Sequence, residues 1–219
     1  MKVILFGATG MVGQGVLREC LFDPAVESVF AVGRSPTGQA HAKLRELVHD
    51  NFVDFSAIEP QLKGYDACFF CLGVSSIGLD EARYRHLTYD IPMAAATTLS
   101  KLNPGMTFIY VTARGTDNTG QGSRMWARVK GKTENDLLKL PFKAAYMFRP
   151  AAIQPLHGVR SKTAWIHVIY VATAPLWALL NRIAPAYATT TEKLGRAMIK
   201  VARDGYAKPV LESEDINAV

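Results

Sequence analysis

The chain has little cysteine: Cys20, Cys68 and Cys71 are the only three among 219 residues. A low and odd count excludes a disulfide framework and favours a reducing compartment. The segment after Met1 shows no secretory signal pattern, because Lys2 is followed by only a few apolar residues and then by a glycine. From these two absences we expect a cytoplasmic protein.

Two function classes lack support in the composition. The five histidines show no metal-ligand spacing, so we expect no metal site. The formal charge is +6, but lysine and arginine are scattered and no nucleic-acid recognition motif accompanies them. We therefore do not expect a nucleic-acid partner, since attraction of an anionic cofactor is a sufficient use for this modest charge.

The two cysteines Cys68 and Cys71 have the C-x-x-C spacing of redox motifs. Such motifs begin a helix, whereas this pair lies in the apolar run 67–72. In a strand, side chains three residues apart point to opposite faces. We therefore interpret the pair as buried structural thiols.

Apolar runs alternate with helical periodicities along the chain, which is 49% hydrophobic. This alternation predicts right-handed β-α-β units and an α/β fold, a Rossmann-type doubly wound parallel sheet in a single domain. That domain spans 1–219, with 151–219 forming its substrate-side, C-terminal helical part. Strands are predicted at 3–6, 28–32, near 47, 67–72, 107–112 and 144–148. Helices are predicted at 11–21, 81–102 with a kink at Pro92, 126–138, 165–180 and 190–204.

A glycine-rich turn, Gly7-Ala8-Thr9-Gly10-Met11-Val12-Gly13, joins the first predicted strand to the first helix. Glycine makes the turn tight, lets the backbone approach a pyrophosphate and brings the helix close to the strand. The helix N-terminus then offers free N–H groups and a positive dipole end. The turn therefore predicts a dinucleotide cofactor. The predicted contacts in this turn are Gly7, Thr9, Gly10, Met11, Val12 and Gly13.

The end of the second strand indicates which dinucleotide is bound. An acid there would accept hydrogen bonds from the ribose hydroxyls of NAD, but the sequence is Val32-Gly33-Arg34-Ser35. Arg34 can pair with a 2′-phosphate, with Ser35 beside it. We predict NADP, with NAD less favoured. The alternative is that Arg34 is only a solvated turn residue.

The spacing Gly-x-x-Gly-x-x-Gly resembles that of the extended and atypical short-chain dehydrogenase/reductases, which include epimerases and dehydratases. Residues 53–55 resemble that group's third-strand end, and residues 69–74 its strand and loop beside the cofactor. Residues 128–134 resemble the active-site helix and 148–150 the strand end next to the nicotinamide. Together these segments look most like the Tat-interacting oxidoreductase branch, an NADPH-binding group. The resemblance adds Cys71, Leu72, Gly73 and Pro150 to the predicted cofactor contacts.

The family's chemistry uses a serine or threonine with a tyrosine and a lysine in Tyr-x-x-x-Lys spacing. The resemblance implies that Lys130 is catalytic and binds the nicotinamide ribose. Trp126 stands at the tyrosine position and cannot exchange a proton. Ala113 stands at the serine position, and Thr112 beside it is the substitute hydroxyl if the register slips by one residue. A phenol from elsewhere is the other alternative, although packing is the plainer role for each candidate: Tyr84, Tyr89 and Tyr110.

Three functions remain compatible with these residues. An NADP-binding reductase or epimerase could use a relocated acid, or a catalytically silent NADP-binding protein could act as a sensor or partner-binding module. A membrane- or partner-associated role of the apolar tail is the third. We favour an oxidoreductase-like NADP-binding protein with an unknown small-molecule substrate, and whether it is an enzyme stays open.

The apolar tail runs from 163 to 181, nineteen residues without a formal charge. A membrane-spanning helix needs about 20 predominantly apolar residues, but this stretch contains His167, Thr173, Pro175 and Asn181. We therefore expect no integral membrane span. A helix that is apolar on most sides must bury more than one face, which favours a homodimer contact through 164–181 or burial within the domain.

Overall fold

The computed structural model describes residues 1–159 and 186–219. Strands and helices alternate through the first 150 residues, as the apolar periodicity predicts. The strands are β1 (Lys2–Phe6), β2 (Ser28–Gly33), β3 (Leu44–Val48), β4 (Ala67–Phe70), β5 (Thr107–Val111), β6 (Ala144–Arg149), β7 (Ala152–Gln154), β8 (Ala188–Thr190) and β9 (Val210–Glu212). The α-helices described are α1 (Met11–Phe22), α2 (Glu81–Arg85), α3 (Ile91–Leu102), α4 (Met125–Leu137), α5 (Thr191–Asp204) and α6 (Ser213–Ala218). A 3₁₀ helix spans Ser56–Leu62.

Seven strands form one sheet in the order β3-β2-β1-β4-β5-β6-β9. Every neighbouring pair in it is parallel. From β1 the strands β2 and β3 are added on one side, and β4 and β5 on the other side. An α/β sheet leaves a crevice at its carboxyl edge where the strand order reverses in this way, here between β1 and β4. The predicted Rossmann-type, doubly wound parallel sheet is confirmed.

Helices cover both faces of the sheet and bury a hydrophobic layer on each. On one face α1 and α5 contribute Val16, Leu17, Leu194 and Met198 to the core. On the other face α3 and the 3₁₀ helix contribute Ile58, Ala95 and Leu99, among others. Both layers pack against strands whose residues are buried on both sides, which accounts for the continuous apolar runs in the sequence.

The predicted long helix at 81–102 is interrupted before Pro92 rather than simply kinked at it. α2 and α3 are joined by a wider π turn at His86–Asp90, and Pro92 occupies the first turn of α3. Proline has no N–H, so the carbonyl of Thr88 loses its helical donor. That carbonyl instead accepts a hydrogen bond of 3.2 Å from Tyr110 Oη. It also lies 3.0 Å from Thr133 Oγ1, whose one proton it shares with the carbonyl of Val129 at 2.8 Å. These contacts connect the π turn between α2 and α3 to β5 and α4.

The C-terminal part adds strands that the periodicity did not predict. β9 extends the main sheet beside β6, and β7 pairs with β8 in a separate two-stranded sheet. Each has only three residues, too few to show an alternating pattern. The predicted helix at 165–180 and the homodimer contact at 164–181 lie outside the described residues. Within the two described stretches, no helix is both long and apolar enough to cross a membrane.

Candidate functional site

An open cleft of about 500 Å³ lies where the carboxyl ends of β1, β2 and β4 meet. This is the position that the strand order predicts for a ligand. Most of the predicted cofactor residues line it. The lining residues are Gly7, Ala8, Thr9, Gly10, Ala31, Val32, Gly33, Arg34, Ser35, Pro36, Thr37, Glu46, Leu47, Phe52, Cys71, Leu72, Gly73 and Val74.

The glycine turn is shaped by contacts that leave no room for side chains. Gly7 has φ +83°, and a Cβ there would lie 2.6 Å from the backbone nitrogen of Leu72. A Cβ on Gly13 would lie 2.0 Å from the carbonyl oxygen of Gly7. Gly10 differs, since its nearest neighbour would be 3.3 Å away. Gly7 and Gly13 are therefore needed for the turn's own packing, and Gly10 leaves space on the cleft side.

The N-terminus of α1 opens onto this turn. Its N-cap residue is Gly10, and among the described residues no side chain caps it. The first N–H groups of an α-helix have no intrahelical acceptor, which leaves those of Met11, Val12 and Gly13 for another partner. The first turn, residues 11–14, carries no acid to neutralise the positive end of the helix dipole. This geometry suits an anionic group.

The loop after β2 forms the far wall of the cleft. Arg34 and Ser35 are exposed there, and within the described part of the chain no carboxylate pairs with Arg34. Glu46 of β3 also lines the cleft, and its Oε1 accepts a hydrogen bond of 2.7 Å from the backbone N–H of Thr37. This carboxylate was not among the predicted site residues, because an acid that binds the ribose is expected at the end of β2 and Glu46 lies on β3.

The end of β4 forms the third wall. Cys71, Leu72 and Gly73 all line the cleft, as the resemblance implies. Cys71 is held against β1 by a hydrogen bond of 3.0 Å from its backbone N–H to the carbonyl of Phe6. Burial raises the pKa of the Cys71 thiol, so the thiol stays protonated at neutral pH. Cys68 is buried in one core layer, as the structural interpretation expects. Cys71 follows β4, is half-buried and packs beside the opposite layer, so the interpretation holds only in part for it.

Lys130 lies on α4 and is buried, with 9% of its surface exposed. Desolvation lowers the pKa of its ammonium group to about 8, against an opposing effect of Glu134. Nζ lies 5.8 Å from the centroid of the Tyr110 ring, and among the described residues no acceptor binds it. A buried amine without an acceptor is costly, so this group is a candidate for binding a ligand.

The neighbouring catalytic positions contain no free proton donor among the residues described. Trp126 lies one helical turn before Lys130, and its indole packs 3.5 Å from where a Cβ on Gly115 would be. Thr112 is buried, and its Oγ1 lies 3.0 Å from the Oγ1 of Thr116. The Thr116 hydroxyl donates to the carbonyl of Ala113, so the Thr112 proton is the one shared between the two threonines.

The three tyrosines considered as alternative acids are engaged elsewhere. Tyr84 and Tyr110 are each 1% exposed, and burial raises the pKa of both phenols. Tyr89 donates a hydrogen bond of 2.9 Å to Asp136 on α4. These environments are those of packing and bridging residues.

A buried ionic network holds α4 against the end of β6. Arg149 Nε donates to Glu134 Oε1 at 3.0 Å, and Glu134 is fully buried. Asn118 donates to the other oxygen of Glu134 at 3.0 Å. Gly131 lets this loop approach, since a Cβ there would lie 1.8 Å from the carbonyl oxygen of Asp117. The network fixes the helix that carries Lys130.

The predicted site residues thus fall into three groups. The cleft brings together Gly7, Thr9, Gly10, Arg34, Ser35, Cys71, Leu72 and Gly73. Met11, Val12 and Gly13 form the start of α1 beside it. The remaining residues are not part of the cleft lining. Thr112 directly follows β5, Lys130 lies on α4, and the buried Pro150 directly follows β6.

No family model matches the chain. The chain is 26% identical to protein HTATIP2 of Rattus norvegicus over 201 residues, which covers 90% of this chain and 79% of that protein. It is also 26% identical to protein FMP52-2, mitochondrial, of Scheffersomyces stipitis over 216 residues, covering 96% and 89%. The first of these relatives confirms the predicted resemblance to the Tat-interacting branch.

Solved structures share the fold over nearly the whole chain. The Bordetella bronchiseptica enzyme WbmF in complex with NAD⁺ has a TM-score of 0.68 at 15% identity, covering 99% of this chain and 76% of that one. A UDP-N-acetylglucosamine 4-epimerase from Methanobrevibacter ruminantium has a TM-score of 0.68 at 16% identity, covering 96% and 75%. At such identities the likeness shows the fold alone.

The cytoplasmic expectation is contradicted by the relatives. Six of them carry the designation mitochondrial in their names. Scarce cysteine does not distinguish one reducing compartment from another. The cytoplasmic expectation was therefore wrong.

Proposed function

We propose that this chain is an NADP(H)-binding, oxidoreductase-like protein of the atypical short-chain dehydrogenase/reductase type, with an unidentified small-molecule substrate. The bound dinucleotide would donate or accept a hydride, and the rest of the chemistry belongs to the chain's own residues. The glycine turn carries the proposal. Methyl groups on Gly7 or Gly13 would collide with backbone, whereas Gly10 leaves open space beside an uncapped helix N-terminus.

The turn and the start of α1 would hold the pyrophosphate. Thr9 and Gly10 line the cleft, and the N–H groups of Met11 and Val12 are without intrahelical acceptors. Cys71, Leu72 and Gly73 would contact the middle of the cofactor from the opposite wall. The complex of WbmF with NAD⁺, which shares this fold, favours a nicotinamide dinucleotide over other nucleotides.

The preference for NADP over NAD rests on Arg34 and Ser35. Arg34 is exposed at the cleft and, within the described residues, has no carboxylate partner, so its guanidinium is available to a 2′-phosphate. Arginine binds phosphate through two parallel hydrogen bonds, and Ser35 can add a third from its hydroxyl.

The catalytic proposal places Lys130 at the nicotinamide ribose, next to Pro150 at the end of β6. Its buried ammonium, without an acceptor among the described residues, can donate to the ribose hydroxyls. Trp126 and Ala113 replace the usual tyrosine and serine. Thr112 directly precedes the serine position in the chain, and its proton would have to turn away from Thr116 to reach a substrate carbonyl.

The C-terminal part, 151–219, is proposed as the substrate side of the single domain. It begins directly after β6, next to Pro150, and its described residues include β7, β8, α5, β9 and α6. A homodimer contact through 164–181 stays a prediction, since that segment lies outside the described residues.

A catalytically silent NADP-binding sensor or partner-binding module is the alternative function. The replacement of the usual tyrosine by Trp126 favours it, because an indole N–H cannot act as a general acid. The burial of Tyr84 and Tyr110 also favours it.

Oxidation of NADPH with a panel of small carbonyl compounds distinguishes the two functions. We expect slow turnover that is lost in Lys130→Ala, with cofactor binding retained in part. Binding of NADPH with no turnover on any substrate would favour the silent protein. Failure of the parent protein to bind either NADPH or NADH would refute both.

A further inference from the structure

The end of the cleft formed by β2 and β3, where the adenosine of a bound dinucleotide would lie, contains a carboxylate as well as an arginine. Glu46 lies in the middle of β3, the edge strand of the sheet, in register with Ala31 of β2. It lines the same cleft as Arg34 and Ser35. Glu46 is not part of the glycine turn, and it lies too far along the chain from β2 to be recognised from the sequence as a ribose-binding acid.

Glu46 is also attached to the loop that carries Arg34. Its Oε1 accepts the backbone N–H of Thr37 at 2.7 Å, three residues after Arg34. In the described part of the chain, no hydrogen bond or ion pair occupies Oε2. One oxygen therefore fixes the loop, while the other adds a negative charge and a free acceptor at the wall of the cleft.

The negative charge of Glu46 has opposite consequences for the two cofactors. A 2′-phosphate carries about two negative charges at neutral pH, so a nearby carboxylate repels it. The free ribose hydroxyl of NAD is a neutral donor, and a carboxylate accepts its hydrogen bond favourably. Arg34 attracts the 2′-phosphate, and Glu46 opposes that attraction.

We propose that Glu46 is a second determinant of cofactor specificity, which limits the preference for NADP set by Arg34 and so lets the cleft accept NAD as well. The inference rests on the proposed function, since it requires a dinucleotide in the cleft.

The test is the ratio of dissociation constants, Kd for NAD divided by Kd for NADP, measured by calorimetry on the parent and on Glu46→Gln. Glutamine keeps an oxygen for the Thr37 N–H and removes the charge. We expect the ratio to rise about fivefold to tenfold, the scale of a half-exposed like-charge pair. At high salt the change should shrink, because such interactions are screened.

The matched control is Glu27→Gln, which makes the same charge change in an exposed residue just before β2, at the amino end of the sheet. Its ratio should stay within about twofold of the parent. An unchanged ratio in Glu46→Gln, or equal losses for both cofactors, would overturn the inference and leave Glu46 as a loop anchor. Binding of neither cofactor by the parent would instead refute the proposed function, before any variant is compared.

Discussion

Substitutions in the glycine turn should distinguish Gly13, which is needed for the turn's own packing, from Gly10, which faces the cleft. In Gly13→Ala the new methyl carbon would lie 2.0 Å from the carbonyl oxygen of Gly7 and 2.6 Å from its carbonyl carbon. Both are backbone atoms, so α1 or the turn must move. Overpacking of this kind costs about 1–3 kcal/mol of unfolding free energy. For a domain of this size, that corresponds to a fall in melting temperature of roughly 2–12 °C.

Gly10→Ala is the matched comparison. Its methyl would meet only the carbonyl oxygen of Gly7 at 3.3 Å, and its φ of −80° suits any residue. We expect its melting temperature without cofactor to stay within about 2 °C of the parent. The methyl nevertheless occupies the space that a pyrophosphate needs, so NADP affinity should fall about tenfold or more, or at least 1.4 kcal/mol.

Thermal melting with and without NADP, together with calorimetry, gives both quantities. Gly13→Ala should lose stability and binding together, while Gly10→Ala should lose binding alone. If Gly13→Ala melts with the parent, or if Gly10→Ala binds NADP as the parent does, the steric account of this turn is refuted.

Three further predictions concern charge and chemistry. Arg34→Asp should reverse the preference between NADP and NAD, at a cost of about 1.5–3 kcal/mol of NADP binding, and equal affinities in the parent would contradict it. The pKa of Lys130 is about 8 in the folded chain, below its ordinary value of 10.5. Between pH 8 and pH 10.5 the unfolded chain therefore binds more protons than the folded chain does. The parent should therefore gain roughly 3 kcal/mol of stability relative to Lys130→Met as pH rises from 8 to 10.5, and urea unfolding that shows a constant difference would refute this. Trp126→Tyr with Ala113→Ser should raise carbonyl reduction about 10²–10⁴-fold over a very low parent rate, whereas brisk parent turnover that survives Lys130→Ala would contradict the assignment.

The sequence predicted those parts of the fold whose signals are local. The first strand, turn and helix follow from an apolar run and from glycines whose spacing is dictated by steric contact. The parallel, doubly wound sheet follows because alternating strands and helices form right-handed β-α-β units. Cys71, Leu72 and Gly73, which the resemblance singled out, line the cleft because they directly follow the end of β4. Their contact with a cofactor stays a prediction.

Features that depend on contacts across the sheet could not be predicted in this way. Glu46 enters the cleft through the register of β3 on β2 and its bond to Thr37, neither of which a linear pattern contains. The π turn before Pro92 persists because Tyr110 and Thr133 satisfy the Thr88 carbonyl. The burial of Lys130 likewise depends on how α4 packs beside Tyr110.

Calorimetric titration of the parent protein with NADP, and separately with NAD, shows whether the cleft binds a dinucleotide. We expect saturable binding of NADP to one site per chain, tighter than that of NAD and abolished or greatly weakened in Gly10→Ala. Heat of binding for neither dinucleotide, or binding that Gly10→Ala leaves unchanged, would contradict it.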